Sequence, residues 1–159
     1  MAAYGGFALY KELQQMKTAR RRAREFVVQG LYEWVMNPDR SAATIEKHLR
    51  ENEYFAKADE ALFRTLLYGV LKDADNLSAQ VSRYYERAAD DVSPIERAVL
   101  LMASLELIQH LETPYPVIIN EAIEITKTFG GTDGHKFVNG VLDKLAAQVR
   151  SEEVVRRPA

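Results

Sequence analysis

Residues 93–111 read SPIERAVLLMASLELIQHL, and this stretch decides the fold class. Ser93 stands where a helix N-cap is wanted, Pro94 occupies the first helical position, and Glu96 follows three residues after the serine. That is the pattern of a capping box, in which side chain and backbone at each end satisfy the other's free N–H. From there Val99, Met102, Ala103 and Leu107 recur at helical spacing to about Leu111. Thr113-Pro114-Tyr115-Pro116 breaks this helix and starts another, which runs to Gly130-Gly131, where two glycines predict a left-handed C-cap. The last helix opens near Asp133, whose carboxylate is expected to accept a backbone N–H as N-cap. It carries Val138, Val141, Leu142, Leu145 and Val149 in one stripe. Residues 151–159 read as a charged tail of the kind that is usually disordered.

The same periodicity extends upstream. Ala88 to Val92 is a polar hinge. Before it, Leu62, Leu66, Val70, Leu77, Val81 and Tyr84 or Tyr85 mark a pattern from about Lys57 to Arg87, either one helix or two with a break near Gly69 or Asp73 to Asn76. Another helix covers about Ala42 to Asn52 and buries Ile45 and Leu49. The first secure helix spans about Thr18 to Met36, with Ala23, Val27, Gly30, Leu31 and Trp34 on one face. It stops before Asn37-Pro38-Asp39 because a residue preceding proline avoids helical geometry. Alternating β-branched runs are missing, so the chain reads as all-α. Residues 1–18 form an N-terminal extension, either disordered or a short extra helix: Phe7, Tyr10, Leu13 and Met16 would line one side of it, while Gly5-Gly6 oppose structure before them.

At 159 residues and 47% hydrophobic, the chain suits one domain with a proper core. The absence of cysteine excludes disulfides, thiolate zinc sites and a cysteine nucleophile, and makes a reducing cytoplasm the expected compartment. The segment from Met1 to Tyr10 lacks the basic start of a signal peptide, and no apolar run reaches the roughly 20 residues of a membrane span.

Charge is distributed unevenly. Lys17, Arg20, Arg21, Arg22 and Arg24 stand together without an acid, and removing these five from a formal net charge of −2 leaves −7 on the rest. A solvated charge run is the ordinary explanation of such a cluster. Here it occupies the first turns of a helix, where the dipole disfavours cations and a stability-driven sequence would place acids. Free N–H groups and several guanidinium forks at one helix end suit a polyanion. A second cationic turn follows at Gly130-Gly131-Thr132-Asp133-Gly134-His135-Lys136-Phe137. It lacks the preceding strand and the Gly-Lys-Ser/Thr ending of a nucleotide-binding loop. Lys136 beside a half-exposed Phe137 instead suits single-stranded nucleic acid, whose bases stack on aromatic faces. His48, His110 and His135 have no metal-ligand spacing, Glu121 and Glu124 read as structural or surface acids, and no catalytic or cofactor motif is present.

Several segments together resemble the NusB family of transcription antitermination factors. They are Ala19 to Glu25 followed by Gln29 to Trp34, the helix start Ile95 to Val99, Pro116 to Glu124 with Ile119-Asn120-Glu121-Ala122, and His135-Lys-Phe-Val-Asn-Gly-Val-Leu-Asp-Lys144. The resemblance covers about residues 19–150. It implies roughly seven helices in two roughly perpendicular bundles, over about 19–87 and 93–150. It further implies a non-enzymatic scaffold that binds the boxA element of ribosomal RNA leaders together with NusE, a small-subunit ribosomal protein, in the RNA polymerase antitermination complex. No cofactor is implied. The RNA contacts carried over fall on Arg20, Arg21, Arg22, Arg24, Asp133, Lys136 and Phe137, and Tyr32 and Glu96 fall on the partner surface. The long extension leaves monomer and homodimer both open. Alternatives of other classes are a helical subunit of an RNA-modifying complex, since a similar domain precedes ribosomal RNA cytosine methyltransferase domains, and a purely protein-binding module.

Overall fold

Side-chain caps fix where the helices begin. Thr18 Oγ1 accepts the Arg21 N–H at 3.0 Å, Ser41 Oγ that of Thr44 at 3.1 Å, and Asp59 Oδ1 that of Leu62 at 3.0 Å. Ser93 and Glu96 close the expected capping box, with Glu96 N–H on Ser93 Oγ at 3.1 Å and Ser93 N–H on Glu96 Oε1 at 2.9 Å. In the computed structural model, which describes residues 17–156, these caps help to delimit eight α-helices and no strand. They are α1 (Ala19–Met36), α2 (Ala42–Leu49), α3 (Glu60–Lys72), α4 (Ala74–Ser82), α5 (Pro94–Gln109), α6 (Tyr115–Phe129), α7 (Gly134–Val149) and α8 (Ser151–Arg156). Short 3-10 turns sit at Phe55–Lys57 and Ala89–Asp91. Phe7, Tyr10, Leu13 and Met16 lie outside the described residues.

The long pattern ahead of the hinge is two helices. Asp73 stands between them outside helical geometry, at φ −126°, ψ 23°, as the C-cap of α3 and the N-cap of α4. The turn sends α4 against α5 and α7, with the C-terminal helices, whereas α1, α2 and α3 form the N-terminal group.

Helix α5 joins the two groups. Every residue from Ala98 through Leu107 is buried, including Ser104 and Glu106. A helix enclosed on all sides needs no polar face, and α1, α3, α4, α6 and α7 all pack on it. Close approach within the N-terminal group depends on Gly30, where a Cβ would stand 2.9 Å from Ile45 Cγ2 and 3.1 Å from Leu49 Cδ1. Gly30→Ala is therefore expected to lower stability by about 1–3 kcal/mol through overpacking. Urea denaturation measures this, and a stability equal to wild type would mean that α2 yields without cost.

Three expectations for the C-terminal third are corrected. Gly130 is extended at φ −97°, ψ −176°, and no glycine among the described residues has positive φ. Its glycine is required for room, since a Cβ would lie 2.8 Å from the Thr126 carbonyl oxygen. Asp133 makes no capping hydrogen bond with its side chain, which is drawn to Lys136 at 3.4 Å instead. Residues 151–156 are helical rather than a loose tail. Glu153 accepts hydrogen bonds from Arg150 Nη1 at 2.7 Å and from the Tyr115 N–H at 2.9 Å, which docks α8 against the start of α6.

Candidate nucleic-acid interface

The basic start of α1 separates into an outer and an inner half. Arg20 keeps a side chain 52% exposed, with Asp59 no closer than 3.8 Å. Arg21 crosses to α6, where Nε and Nη2 donate to the two carboxylate oxygens of Glu121, the latter at 3.0 Å. Those hydrogen bonds outweigh partial burial and raise the Arg21 pKa further. Arg22, which helical projection directs away from the core, is nevertheless buried, with its guanidinium carbon 5.3 Å from the centre of the Tyr54 ring. Arg24 is buried as well, and its Nε and Nη2 donate to Glu106 of α5 at 3.0 and 2.8 Å. Burial alone would lower the Arg24 pKa; the Glu106 carboxylate more than reverses that and raises it. The carboxylates of Glu121 and Glu106 thus compensate the unfavourable cations in the first turns of α1.

A cleft of about 210 Å³ runs between α1 and the last turn of α6. Lys17, Arg22, Glu25, Gln29 and Tyr54 line it from the α1 side, with Lys17 Nζ on Glu25 at 2.9 Å, and Thr128 and Phe129 line it from α6. Phe129 directly precedes Gly130, and the second cationic turn follows it in sequence. There Lys136 and Asp133 project outward with side chains 74% and 75% exposed. Their ion pair is a surface one and holds neither firmly. Phe137 is half-buried, packed on the core with the Tyr85 ring centre 5.5 Å away.

Sequence reasoning passed over Arg87, whose guanidinium carbon lies 3.9 Å from the centre of the Phe137 ring. The residue precedes a polar hinge and carries no motif; only its charge beside the aromatic Tyr84-Tyr85 pair was there to find it. Arg87 also grips Glu96, which is 5% exposed. Tyr32 borders a mostly apolar groove of about 250 Å³ with Gln29, Glu33, His48, Leu49 and Ile95. Among the described residues no three His, Asp or Glu side chains could share a metal ion, and no helix is long and apolar enough to cross a membrane.

Comparison with known proteins sets this arrangement in a family. The model of the NusB family matches residues 21–147. The transcription antitermination protein NusB of Chromobacterium violaceum is 83% identical over 140 residues, 88% of this chain and 94% of that protein. Its counterpart in Laribacter hongkongensis is 68% identical over 138 residues, 87% of this chain and 83% of that protein. Among solved structures, NusB of T. maritima superposes with a TM-score of 0.72 at 34% identity, over 88% of this chain and 99% of that one. With the matched region spanning α1 to α7, the chain belongs to the NusB family.

Proposed function

We propose that the chain is a transcription antitermination factor that binds the single-stranded boxA element of ribosomal RNA leaders together with NusE. On this reading it is a scaffold of the RNA polymerase antitermination complex in the cytoplasm and makes or breaks no bond. The observation that carries the reading is the pair of exposed cations at two helix starts, Arg20 in the first turn of α1 and Lys136 in the first turn of α7. Two separate cationic positions suit a polyanion longer than a single phosphate. Relatives bearing the antitermination name match nearly the whole described chain. Arg20 and Lys136 are placed at the phosphates, with Arg21 beside Arg20 contributing its charge while its Nε–Nη2 fork stays on Glu121. Arg22 and Arg24 are left with the interior, Arg24 because its buried guanidinium fork is already taken by Glu106, and Arg22 because it is buried against the Tyr54 ring. NusE is placed on the Tyr32 groove, where Ile95 and Leu49 supply an apolar floor.

Replacing Arg20 and Lys136 together by alanine is expected to weaken boxA binding at least tenfold and to flatten its salt dependence by about 1.4 in log–log slope, roughly 0.7 for each phosphate contact. Mobility shift over a salt series, with and without NusE, measures both. An unchanged slope would remove the two residues from the RNA surface. Binding to NusE with none to RNA would favour the protein-binding module.

A further inference from the structure

Arg87 is held by one edge and one face. Nη1 donates to both carboxylate oxygens of Glu96, at 3.0 and 3.1 Å, and makes a longer contact of 3.4 Å with the Asp91 carbonyl. The flat face of the guanidinium rests on Phe137. Glu96 is itself fixed by the Ser93 N–H and by Gly134, where a Cβ would come within 3.0 Å of Oε2. The opposite edge, Nε and Nη2, has no hydrogen-bond partner among the described residues. Neither nitrogen is among the buried polar atoms that lack a partner, so this edge reaches solvent from a side chain 31% exposed. A guanidinium immobilised in its plane with the Nε–Nη2 edge open matches the bidentate geometry of a phosphate. The neighbouring ring is less accessible than its position in the sequence suggests. Arg87 covers it, Tyr85 flanks it, and the remainder packs on the core.

We infer that Arg87 is a phosphate-binding residue of the RNA site, with Phe137 as the platform beneath it and Glu96 as the positioning residue that aims it. RNA meets the guanidinium edge beside Lys136 and does not stack a base on Phe137. This rests on the RNA-binding reading above and replaces the stacking role expected of Phe137. It also gives Glu96 a part in the RNA site without requiring a buried carboxylate to reach a protein partner.

The experiment measures boxA RNA affinity over a salt series for the full chain and for Arg87→Gln, Arg87→Lys and Phe137→Leu. Arg87→Gln is expected to weaken binding about tenfold and to lower the salt slope by about 0.7. Arg87→Lys should keep the slope, since the charge stays, yet lose several-fold in affinity because an ammonium has no planar fork. Phe137→Leu preserves an apolar platform and should keep the slope with a smaller loss. Thermal melts accompany each variant. If Arg87→Gln melts early, the double variant with Glu96→Gln removes the stranded carboxylate and is read in the same way. Full affinity and slope in either glutamine variant would overturn the assignment, as would a loss in Phe137→Leu exceeding that in Arg87→Gln. Failure of the wild-type chain to bind boxA RNA, even with NusE, would instead defeat the functional reading and this assignment with it.

Discussion

Arg24→Ala is expected to destabilise the fold by about 3–5 kcal/mol, the cost of removing one member of a buried ion pair. The Arg24 side chain is 3% exposed and that of Glu106 is 1% exposed, so neither regains water when the other is lost. Alanine would leave an uncompensated carboxylate buried in the last turn of α5. At about 2–4 °C of melting temperature for each kcal/mol in a chain of this size, the shift is on the order of 10 °C. The double replacement Arg24→Met with Glu106→Leu should recover most of the loss, because well-packed apolar residues often match a buried pair. Urea denaturation of the two single variants and the double gives the coupling directly. A coupling near zero would show that the pair contributes no more than its separate packing. An ordinary surface arginine, Arg40, supplies the control, since its pair with Glu33 lies at the exterior and should be worth less than about 1 kcal/mol.

The second large effect belongs to Arg150, the residue after α7. All five of its N–H groups are engaged. Nε donates to the Leu107 carbonyl at 2.7 Å, Nη2 to those of Glu106 and His110 at 3.1 and 2.9 Å, and Nη1 to that of Thr113 and to Glu153 at 3.0 and 2.7 Å. The carbonyls lie at the C-terminal end of α5 and just past it, where helical partners run out and negative partial charge collects. Arg150→Ala leaves the Leu107 and Thr113 carbonyls without the guanidinium, whereas those of Glu106 and His110 keep the backbone N–H groups of His110 and Thr113; at about 1–3 kcal/mol for each acceptor that stays dry, a total of about 2–5 kcal/mol is expected. Arg150→Lys should restore less than half, because three donors radiating from one nitrogen cannot reach acceptors spread around a fork. Chemical denaturation measures both. A loss below about 1 kcal/mol in the alanine variant would mean that water replaces the guanidinium at these carbonyls.

Signals local in sequence were legible. The Ser93-Pro94-Glu96 box, the stop before Asn37-Pro38 and the stripe from Val138 to Val149 each rest on a few adjacent residues, and each sits where spacing placed it. Features fixed by distant partners were not. Arg24 is indistinguishable in sequence from Arg20, and its fate is decided by Glu106, 82 positions away. Residues 151–156 looked like a tail because their charge was visible and the Arg150 and Tyr115 donors awaiting Glu153 were not. Gly130 was assigned a backbone geometry when the requirement is room beside Thr126. The candidate site shows the same division: Lys136 and Phe137 could be picked out as a cation beside an aromatic, whereas the guanidinium that covers the ring comes from the far side of the hinge.

The enclosure of α5 has a kinetic consequence. Its amides between Ala98 and Leu107 are covered by helices from both ends of the chain, so no single element can peel away and admit solvent to all of them. Local fraying can release α2 or α8, but exchange of the α5 amides with deuterium should require the whole molecule to open, at a free energy equal to global stability. The two helical groups share one helix as a common wall, and neither can melt while the other stays intact.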